Sequence, residues 1–177
     1  TNFNKVLQDE LNPDSITKQE INIIGKTLRE GDKVIQSKNN YDISFHKDNG
    51  EVGEGIFNGD VGILEKIDRK SSSLQVRFDD KVAIYTFEDA LNLDLAYAIT
   101  VHKSQGNEFE CVLMPILGGS PQLNYRNLLY TAVTRAKSLL ILNGSEKTIE
   151  AMINNNRKAK RYSALSKFLI RGSENND

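Results

Sequence analysis

Val6, Leu7 and Leu11 fall at helical spacing, and Asn12-Pro13 stops the run, which predicts a helix over residues 4–11. Residues 14–30 carry two readings: Ser15 could cap a short helix, while Ile21, Ile23 and Ile24 suit a strand. From Gly31 the pattern turns β-rich, with apolar runs DKVIQ (32–36), VGILEKI (61–67), LQVRF (74–78) and VAIYTF (82–87). Turn signals separate them at Asn39-Asn40, Asp48-Asn49-Gly50, Asn58-Gly59-Asp60, Ser71–Ser73 and Asp79-Asp80. Four or five short strands packed this closely predict a small β-barrel, and the polar, glycine-rich stretch Lys47–Gly55 reads as a mobile loop.

After Asp94 the period changes again. LAYAIT (95–100) reads as a buried strand, VHKSQG (101–106) as a turn entering a short helix, and CVLMPI (111–116) as a second buried strand. Gly118–Pro121 is a loop, and YRNLLYTAVTRAK (125–137) a helix with Leu128, Leu129, Ala132 and Ala136 on one side. SLLILNG (138–144) is a third strand, followed by a helix capped by Ser145 with Thr148 three positions on. A closing helix is expected over about 160–171, ahead of a frayed SENND tail. Continuous apolar strands alternating with helices predict a parallel sheet covered on both faces. The fold class is therefore α/β, a parallel sheet interrupted by a small inserted β-barrel.

Composition narrows the function classes. The chain has 177 residues, 38% hydrophobic and 27% charged, which suits one soluble domain or a domain with an insert. No apolar run approaches the roughly 18 residues of a membrane span, and no basic-then-apolar signal opens the chain. Cys111 is the single cysteine, so an internal disulfide and a cysteine-rich metal site are excluded, and His46 and His102 lie too far apart for a local zinc pair. No metal site is expected, nor any membrane association, and the location expected is cytoplasmic. A start without methionine suggests a piece of something larger. The net charge of −1 hides an asymmetry: residues 31–94 carry 8 basic and 13 acidic residues, residues 95–177 carry 11 and 6. A boundary near residue 94 is implied, with any polyanion on the C-terminal part, although the chain is not basic enough to hold DNA by charge alone.

Three segments bear on chemistry. Gly25-Lys26-Thr27 looks like the end of a phosphate-binding P-loop, but that motif needs a glycine five residues earlier, where Glu20 stands. No glycine precedes Gly25, and no aspartate pair ending an apolar strand would hold Mg²⁺ beside such a loop, so this chain cannot build a complete nucleoside-triphosphate site by itself. In the second segment, residues 96–110, the expected strand delivers Thr100 and His102 to its C-terminal end, where α/β sheets bind ligands. A hydroxyl and an imidazole there can meet a phosphate or a base, Gly106 lets backbone approach a phosphate, and Glu108 can accept from ribose hydroxyls. The plain alternative is a polar turn with satisfied hydrogen bonds. The third segment, residues 128–137, offers Arg135 and Lys137 near a helix C-terminus. Arg135 reads either as a charge favoured by the helix dipole or as an arginine finger reaching a γ-phosphate held by another domain.

Taken together the segments resemble superfamily 1 helicases. Thr100-Val-His-Lys-Ser-Gln-Gly106 with Glu108-Phe109 resembles motif V, and Tyr130-Thr-Ala-Val-Thr-Arg-Ala-Lys137 resembles motif VI. Asn4-x-x-Leu7-Gln8-x-x-Leu11-Asn12-Pro13 resembles motif IV of the RecD-like branch. Gly31-Asp-Lys-Val34, Asn39-Asn40-Tyr41 and Phe57-Asn-Gly-Asp60 resemble that branch's SH3-like insert, and Arg161-Tyr162 with Leu165 and Leu169 its closing helix. The resemblance implies an ATP-dependent 5′→3′ DNA helicase acting in repair or recombination, with ATP and Mg²⁺ in the cleft between two RecA-like domains. Residues 1–30 and 95–177 would form the second RecA-like domain, a parallel sheet with helices on both faces. Residues 31–94 would form the SH3-like barrel inserted in it.

The resemblance also implies roles. Arg135 would reach the γ-phosphate, Gly106 would lie near it, Glu108 would contact the ribose, and Gln105 would couple nucleotide to DNA. Thr100 and His102 would touch single-stranded DNA, with Lys103 a weaker candidate, and Arg126 would orient the motif VI helix. Residues 39–41, 58 and 60 are expected to build the join between barrel and sheet. The first RecA-like domain, with its P-loop and Mg²⁺-binding acid, would be the partner this chain lacks, so the chain alone is expected to be inactive. The alternatives are a Dda-like or Pif1-like helicase segment, and a non-enzymatic SH3-like adaptor for protein or nucleic acid. The Gly-Asn-Glu-Phe sequence after Gln105 favours the RecD-like branch.

Overall fold

The structure is a computed structural model and describes residues 2–119 and 122–156. The expected closing helix, with Arg161, Tyr162, Leu165 and Leu169, lies outside them. The chain divides into two compact units between Phe109 and Glu110. Among the described residues no helix is long and apolar enough to cross a membrane.

The first unit opens with helix α1 (Asn2–Leu11), then a hairpin of β1 (Glu20–Ile23) and β2 (Lys26–Arg29), so the strand reading of residues 14–30 holds. Then come β3 (Lys33–Gln36), β4 (Asn40–Lys47), β5 (Val52–Ile56), β6 (Val61–Asp68), β7 (Ser73–Phe78), β8 (Lys81–Thr86), a one-turn 3-10 helix (Asp89–Asn92) and β9 (Leu93–Leu95). β3 to β9 make one seven-stranded sheet in the order β5-β4-β8-β7-β6-β3-β9, with antiparallel neighbours throughout. Alternate residues of β7 (Leu74, Val76, Phe78) point into a continuous core with Leu28, Val34, Ile56, Leu64, Tyr85 and Leu93. Tyr85 is fully buried and donates its hydroxyl to Gln36 Oε1 at 3.0 Å, which satisfies the polar tip in an apolar setting.

Two sequence expectations fail here. The stretch Lys47–Gly55 is not a loop: it is the end of β4, a tight turn closed by Gly50 N–H to the Lys47 carbonyl, and β5. Gly50 takes the positive φ of the turn, and Gly53 serves packing. A Cβ on Gly53 would sit 2.6 Å from the tip of the Phe45 ring on the paired strand, so only glycine leaves room for that ring. The run LAYAIT is not a strand either. β9 ends at Leu95, paired with Val34, and the Asn4 side chain takes over beyond it. Its amide donates to the Ala98 carbonyl at 2.9 Å and accepts from the Ala98 N–H at 2.7 Å, doing for one residue what a neighbouring strand would do.

The second unit contains β10 (Phe109–Ile116), which starts at the division, α2 (Arg126–Val133), β11 (Ala136–Gly144) and α3 (Glu146–Asn154). β10 and β11 pair with each other. They run parallel, with Ser138 bonded to Glu110 at one end and Gly144 against Ile116 at the other. The Ser145 hydroxyl caps α3 by accepting the Thr148 N–H, as expected. Helix α2 stops at Val133, four residues short of its expected end. Thr131, Val133 and Thr134 are β-branched and disfavour the helix, and β11 begins almost at once.

The fold is thus mixed α/β, with a large antiparallel sheet and a small parallel one. The expectation of a parallel sheet covered on both faces is corrected for the described residues. Met114, Ile116 and Leu142 pack against Leu128, Leu129, Ile149 and Met152 of the two helices. On the alternate positions Cys111, Leu113, Leu139 and Ile141 stay exposed. Both strands are apolar on both faces, as in a sheet with two covered sides, but α2 and α3 lie on the same one.

Candidate functional site

The sequence Asp94–Phe109 positions most of the predicted site residues. Past Ala98 the chain makes consecutive turns rather than the expected short helix. Ser104 N–H reaches the Thr100 carbonyl, Gln105 N–H the His102 carbonyl and Asn107 N–H the Ser104 carbonyl. Ser104 is buried, its hydroxyl on the Val101 carbonyl at 2.7 Å, and it anchors the run. Gly106 ends it at φ +88°, and among the described residues nothing beyond its chain neighbours lies within 4 Å of the place a Cβ would occupy. Thr100, His102, Gln105, Gly106 and Glu108 are all exposed along these turns. An open glycine flanked by a hydroxyl, an imidazole, an amide and a carboxylate is suited to close approach of a phosphorylated ligand.

Lys103 stands apart from that group. Its ammonium bonds Asp94 Oδ2 at 3.1 Å, while Lys26 bonds Asp94 Oδ1 at 2.7 Å and also the Leu91 and Leu93 carbonyls. Partial burial works to raise the Asp94 carboxyl, but the hydrogen bonds from Lys26 and Lys103 outweigh it and hold the carboxyl below its ordinary range. Lys26 belongs to the segment that mimics a P-loop, and here it follows a hairpin turn and clamps the approach to the candidate loop.

A buried carboxylate fixes the loop from the other side. Asp32 is fully buried and accepts four hydrogen bonds, from Gln8 Nε2 at 2.6 Å, Asn12 Nδ2 at 2.7 Å, the Arg29 N–H at 2.7 Å and the Tyr97 hydroxyl at 2.8 Å. Burial, with the bond to Asp32, pushes the Tyr97 hydroxyl up to about 12. Asp32 therefore ties α1, the β1–β2 hairpin, the start of β3 and the entry to the candidate loop in one polar knot. Sequence reasoning named none of Asp94, Tyr97 and Asp32 as site residues. A buried carboxylate has no periodic signature, and its donors are spread from Gln8 to Tyr97.

The 39–41 and 57–60 segments hold each other. Asn39 Oδ1 accepts the Asn58 N–H, Asp60 Oδ2 accepts the Phe57 N–H, and the Tyr41 and Phe57 rings meet edge to face at 5.8 Å. Asn107 Nδ2 reaches the Gly59 carbonyl at 3.0 Å, which joins this corner of the sheet to the candidate loop.

Arg135 belongs to the second unit. It follows the end of α2, with Nε on the Thr131 carbonyl at 3.2 Å and a guanidinium nitrogen on the Thr134 hydroxyl at 3.2 Å. It is half-buried and covers carbonyls left open at the helix end. At the other end of α2, Arg126 donates Nε to the Ile153 carbonyl of α3, and its N–H bonds the Asn155 carbonyl. Among the described residues no group of three or more His, Cys, Asp or Glu could hold a metal ion.

Residues 3–78 match the family model of the ATP-dependent RecD-like DNA helicase SH3 domain, and residues 95–143 match that of the UvrD-like helicase C-terminal domain. The ATP-dependent RecD2 DNA helicase of Deinococcus radiodurans is 35% identical over 140 residues, covering 79% of this chain and 18% of that protein. The chain belongs to the RecD-like helicases. The RecBCD enzyme subunit RecD of Buchnera aphidicola subsp. Schizaphis graminum is 29% identical over 157 residues, 86% of this chain and 24% of that subunit. This RecD-like chain thus spans under a quarter of the length of these relatives. A crystal structure of Bacteroides Pif1 bound to ssDNA shares the fold at a TM-score of 0.52 and 16% identity, covering 99% of this chain and 44% of that one. Within the RecD-like chain the Leu-Gln-x-x-Leu-Asn and Gly-Asp signatures have a common physical basis: Gln8 and Asn12 are donors to the Asp32 carboxylate.

Proposed function

We propose that this chain is part of the motor of an ATP-dependent DNA helicase that moves 5′→3′. In this reading residues 1–30 and 95–177 belong to the second RecA-like domain, with residues 31–94 as the SH3-like insert. The observation that carries it is the run of turns from Thr100 to Glu108, which exposes Thr100, His102, Gln105, Gly106 and Glu108 around a glycine with no steric cover. The Gly106 backbone approaches the phosphates, Glu108 accepts from the ribose, and Thr100 and His102 meet the single strand. Gln105 lies between these groups in sequence and couples them. Lys103 contacts DNA only at the expense of its bond to Asp94, which ranks it below the other two.

Arg135 supplies the planar donor fork that neutralises charge on the γ-phosphate as it leaves. Its contacts include a carbonyl and a hydroxyl of its own helix end, and a charge-assisted hydrogen bond to an ATP phosphate is stronger than either of these. The P-loop and the Mg²⁺ ligands come from the other RecA-like domain in this reading. Mg²⁺ bound there would neutralise phosphate charge. Two domains that each hold part of one ATP close around it and open on hydrolysis, which converts differential binding into steps along the strand.

The test is Arg135→Ala in the full-length helicase. ATPase turnover is expected to fall by ~10³–10⁵ with the thermal unfolding profile unchanged. Turnover near that of the unmodified enzyme removes Arg135 from the site. The 177-residue chain alone is expected to hydrolyse no ATP.

A further inference from the structure

Helix α1 docks on the first unit through amides. Asn4 and Gln8 are one helical turn apart, and Asn12 follows at the same spacing just past the helix end, so the three share a face. Gln8 and Asn12 are buried, while the apolar Phe3, Val6 and Leu11 are exposed. Besides Asp32, Gln8 Nε2 bonds the Thr27 carbonyl and Asn12 Nδ2 the Glu30 carbonyl, each at 3.1 Å. These contacts hold the C-terminal half of the helix to the β1–β2 hairpin and the start of β3. Asn4, in the first turn, does something else: among the described residues both ends of its amide bond Ala98.

That pair has one workable orientation. With the amide nitrogen on the Ala98 carbonyl and the amide oxygen on the Ala98 N–H both bonds form, whereas the exchanged amide sets donor on donor and acceptor on acceptor. Ala98 lies beyond the end of β9 and two residues before Thr100. Its neighbour Tyr97 is held through its hydroxyl by Asp32, which Gln8 and Asn12 also hold. Consecutive residues 97 and 98 are thus fixed by one face of α1, Ala98 directly and Tyr97 through Asp32. Only Ile99 separates the two-point contact at Ala98 from Thr100, which leaves the start of the candidate loop little freedom.

We propose that Asn4 is a positioning residue for the Thr100–Glu108 run, acting through the Ala98 backbone to fix where Thr100 and His102 are presented. The proposal rests on the reading that these two side chains meet the single strand. Such placement matters because a misplacement of about 1 Å can cost ~10²-fold. Gln8 and Asn12 make the remaining side-chain bonds of this face, so losing the Asn4 amide frees the loop entry and leaves the helix docked. Asn4→Leu keeps the size of the side chain and adds no charge while removing both bonds. A role in filling space tolerates that change, and a role in positioning does not.

The experiment follows ATPase turnover of the full-length helicase against the concentration of oligothymidylate. Asn4→Leu and Asn4→Ala are each expected to raise the half-saturating concentration roughly tenfold, with turnover at saturation within about twofold of the unmodified enzyme. A merely structural defect lowers the active fraction, so turnover at saturation would fall while the half-saturating concentration stayed put, and that result overturns the proposal. The same substitutions are then made in a background carrying Thr100→Ala and His102→Ala. There Asn4→Leu is expected to add less than about twofold, because the groups it positions are gone. A full tenfold added in that background would mean that Asn4 acts by another route, and the proposal is overturned. If the Thr100→Ala, His102→Ala enzyme shows a raised half-saturating concentration while both Asn4 variants leave it unchanged, the positioning role falls and the reading of the loop stands. If neither the background nor the Asn4 variants move it, both fall.

Discussion

The two units solve the problem of covering apolar surface very differently. The first closes its core within its own sheet, with Leu28, Val34, Leu64, Leu74 and Leu93 at zero exposure. The second has a buried cluster of Ile116, Leu129 and Met152, and leaves Leu113 at 59%, Leu139 at 51% and Ile141 at 43% exposure. An antiparallel sheet built from hairpins can satisfy itself locally, whereas parallel strands need long crossovers and cover on both faces. Two parallel strands with both helices on one side meet half of that requirement. The first unit therefore covers its sheet with its own residues, while the described residues of the second cover one face of the β10–β11 pair.

The largest effect that tests this contrast comes from paired truncations. Leu74→Ala removes a fully buried side chain from β7 and is expected to destabilise the first unit by about 2–5 kcal/mol. Leu113→Ala removes a side chain of the same size from the uncovered face of β10 and is expected to cost under about 0.5 kcal/mol. Chemical denaturation of each variant, followed by circular dichroism, measures both. Equal costs would mean that the β10 face is covered in solution, and the comparison would break.

The sequence carried this contrast unevenly. The β-rich runs of the first unit, the helix capped by Ser145 and the strands at 111–116 and 138–144 were legible because local period and turn chemistry decide them. The hairpin at 40–56 was not, because its inward positions are Ile43 and Phe45 among polar residues, and its glycines imitate a loop although Gly53 makes room for the Phe45 ring. LAYAIT was misread for a different reason. It has the composition of a central strand, yet beyond Leu95 its hydrogen bonds come from the Asn4 side chain, 94 residues away from Ala98. The candidate loop itself was named residue by residue from a motif, while its supports at Asp32, Asp94 and Tyr97 act through tertiary contacts that no local pattern records.

A smaller effect sharpens the account of the first unit by adding stability away from its core. Ile24 has φ +45°, a left-handed conformation that costs a β-branched residue about 1–2 kcal/mol, and it is almost fully exposed. With Gly25 at φ +76° it forms a hairpin turn of the kind that favours asparagine first. Ile24→Asn is expected to raise the melting temperature by a few degrees, a gain of about 1 kcal/mol, with the second unit unaffected. A variant that melts lower would show that the Ile24 side chain makes a stabilising contact of its own.

The smallest effect distinguishes the units by their response to acid. Asp94 links Lys26 to Lys103 in the first unit, and its carboxyl is held below the ordinary value of 3.8 by those two ammonium groups despite the opposing effect of burial. A carboxyl lowered in the folded state binds fewer protons than in the unfolded chain, so its stabilisation is complete above about pH 4 and is lost as pH falls through the folded value. Each of its ion pairs is about one-third exposed and screened by water, so the clamp is worth under about 1 kcal/mol. Asp94→Asn should therefore melt slightly below the unmodified chain near neutral pH, and the gap should close as the pH falls through the lowered carboxyl value. Thermal unfolding of both chains across that range is the measurement. A gap that persists in acid would show that Asp94 acts through its hydrogen-bond geometry rather than its charge.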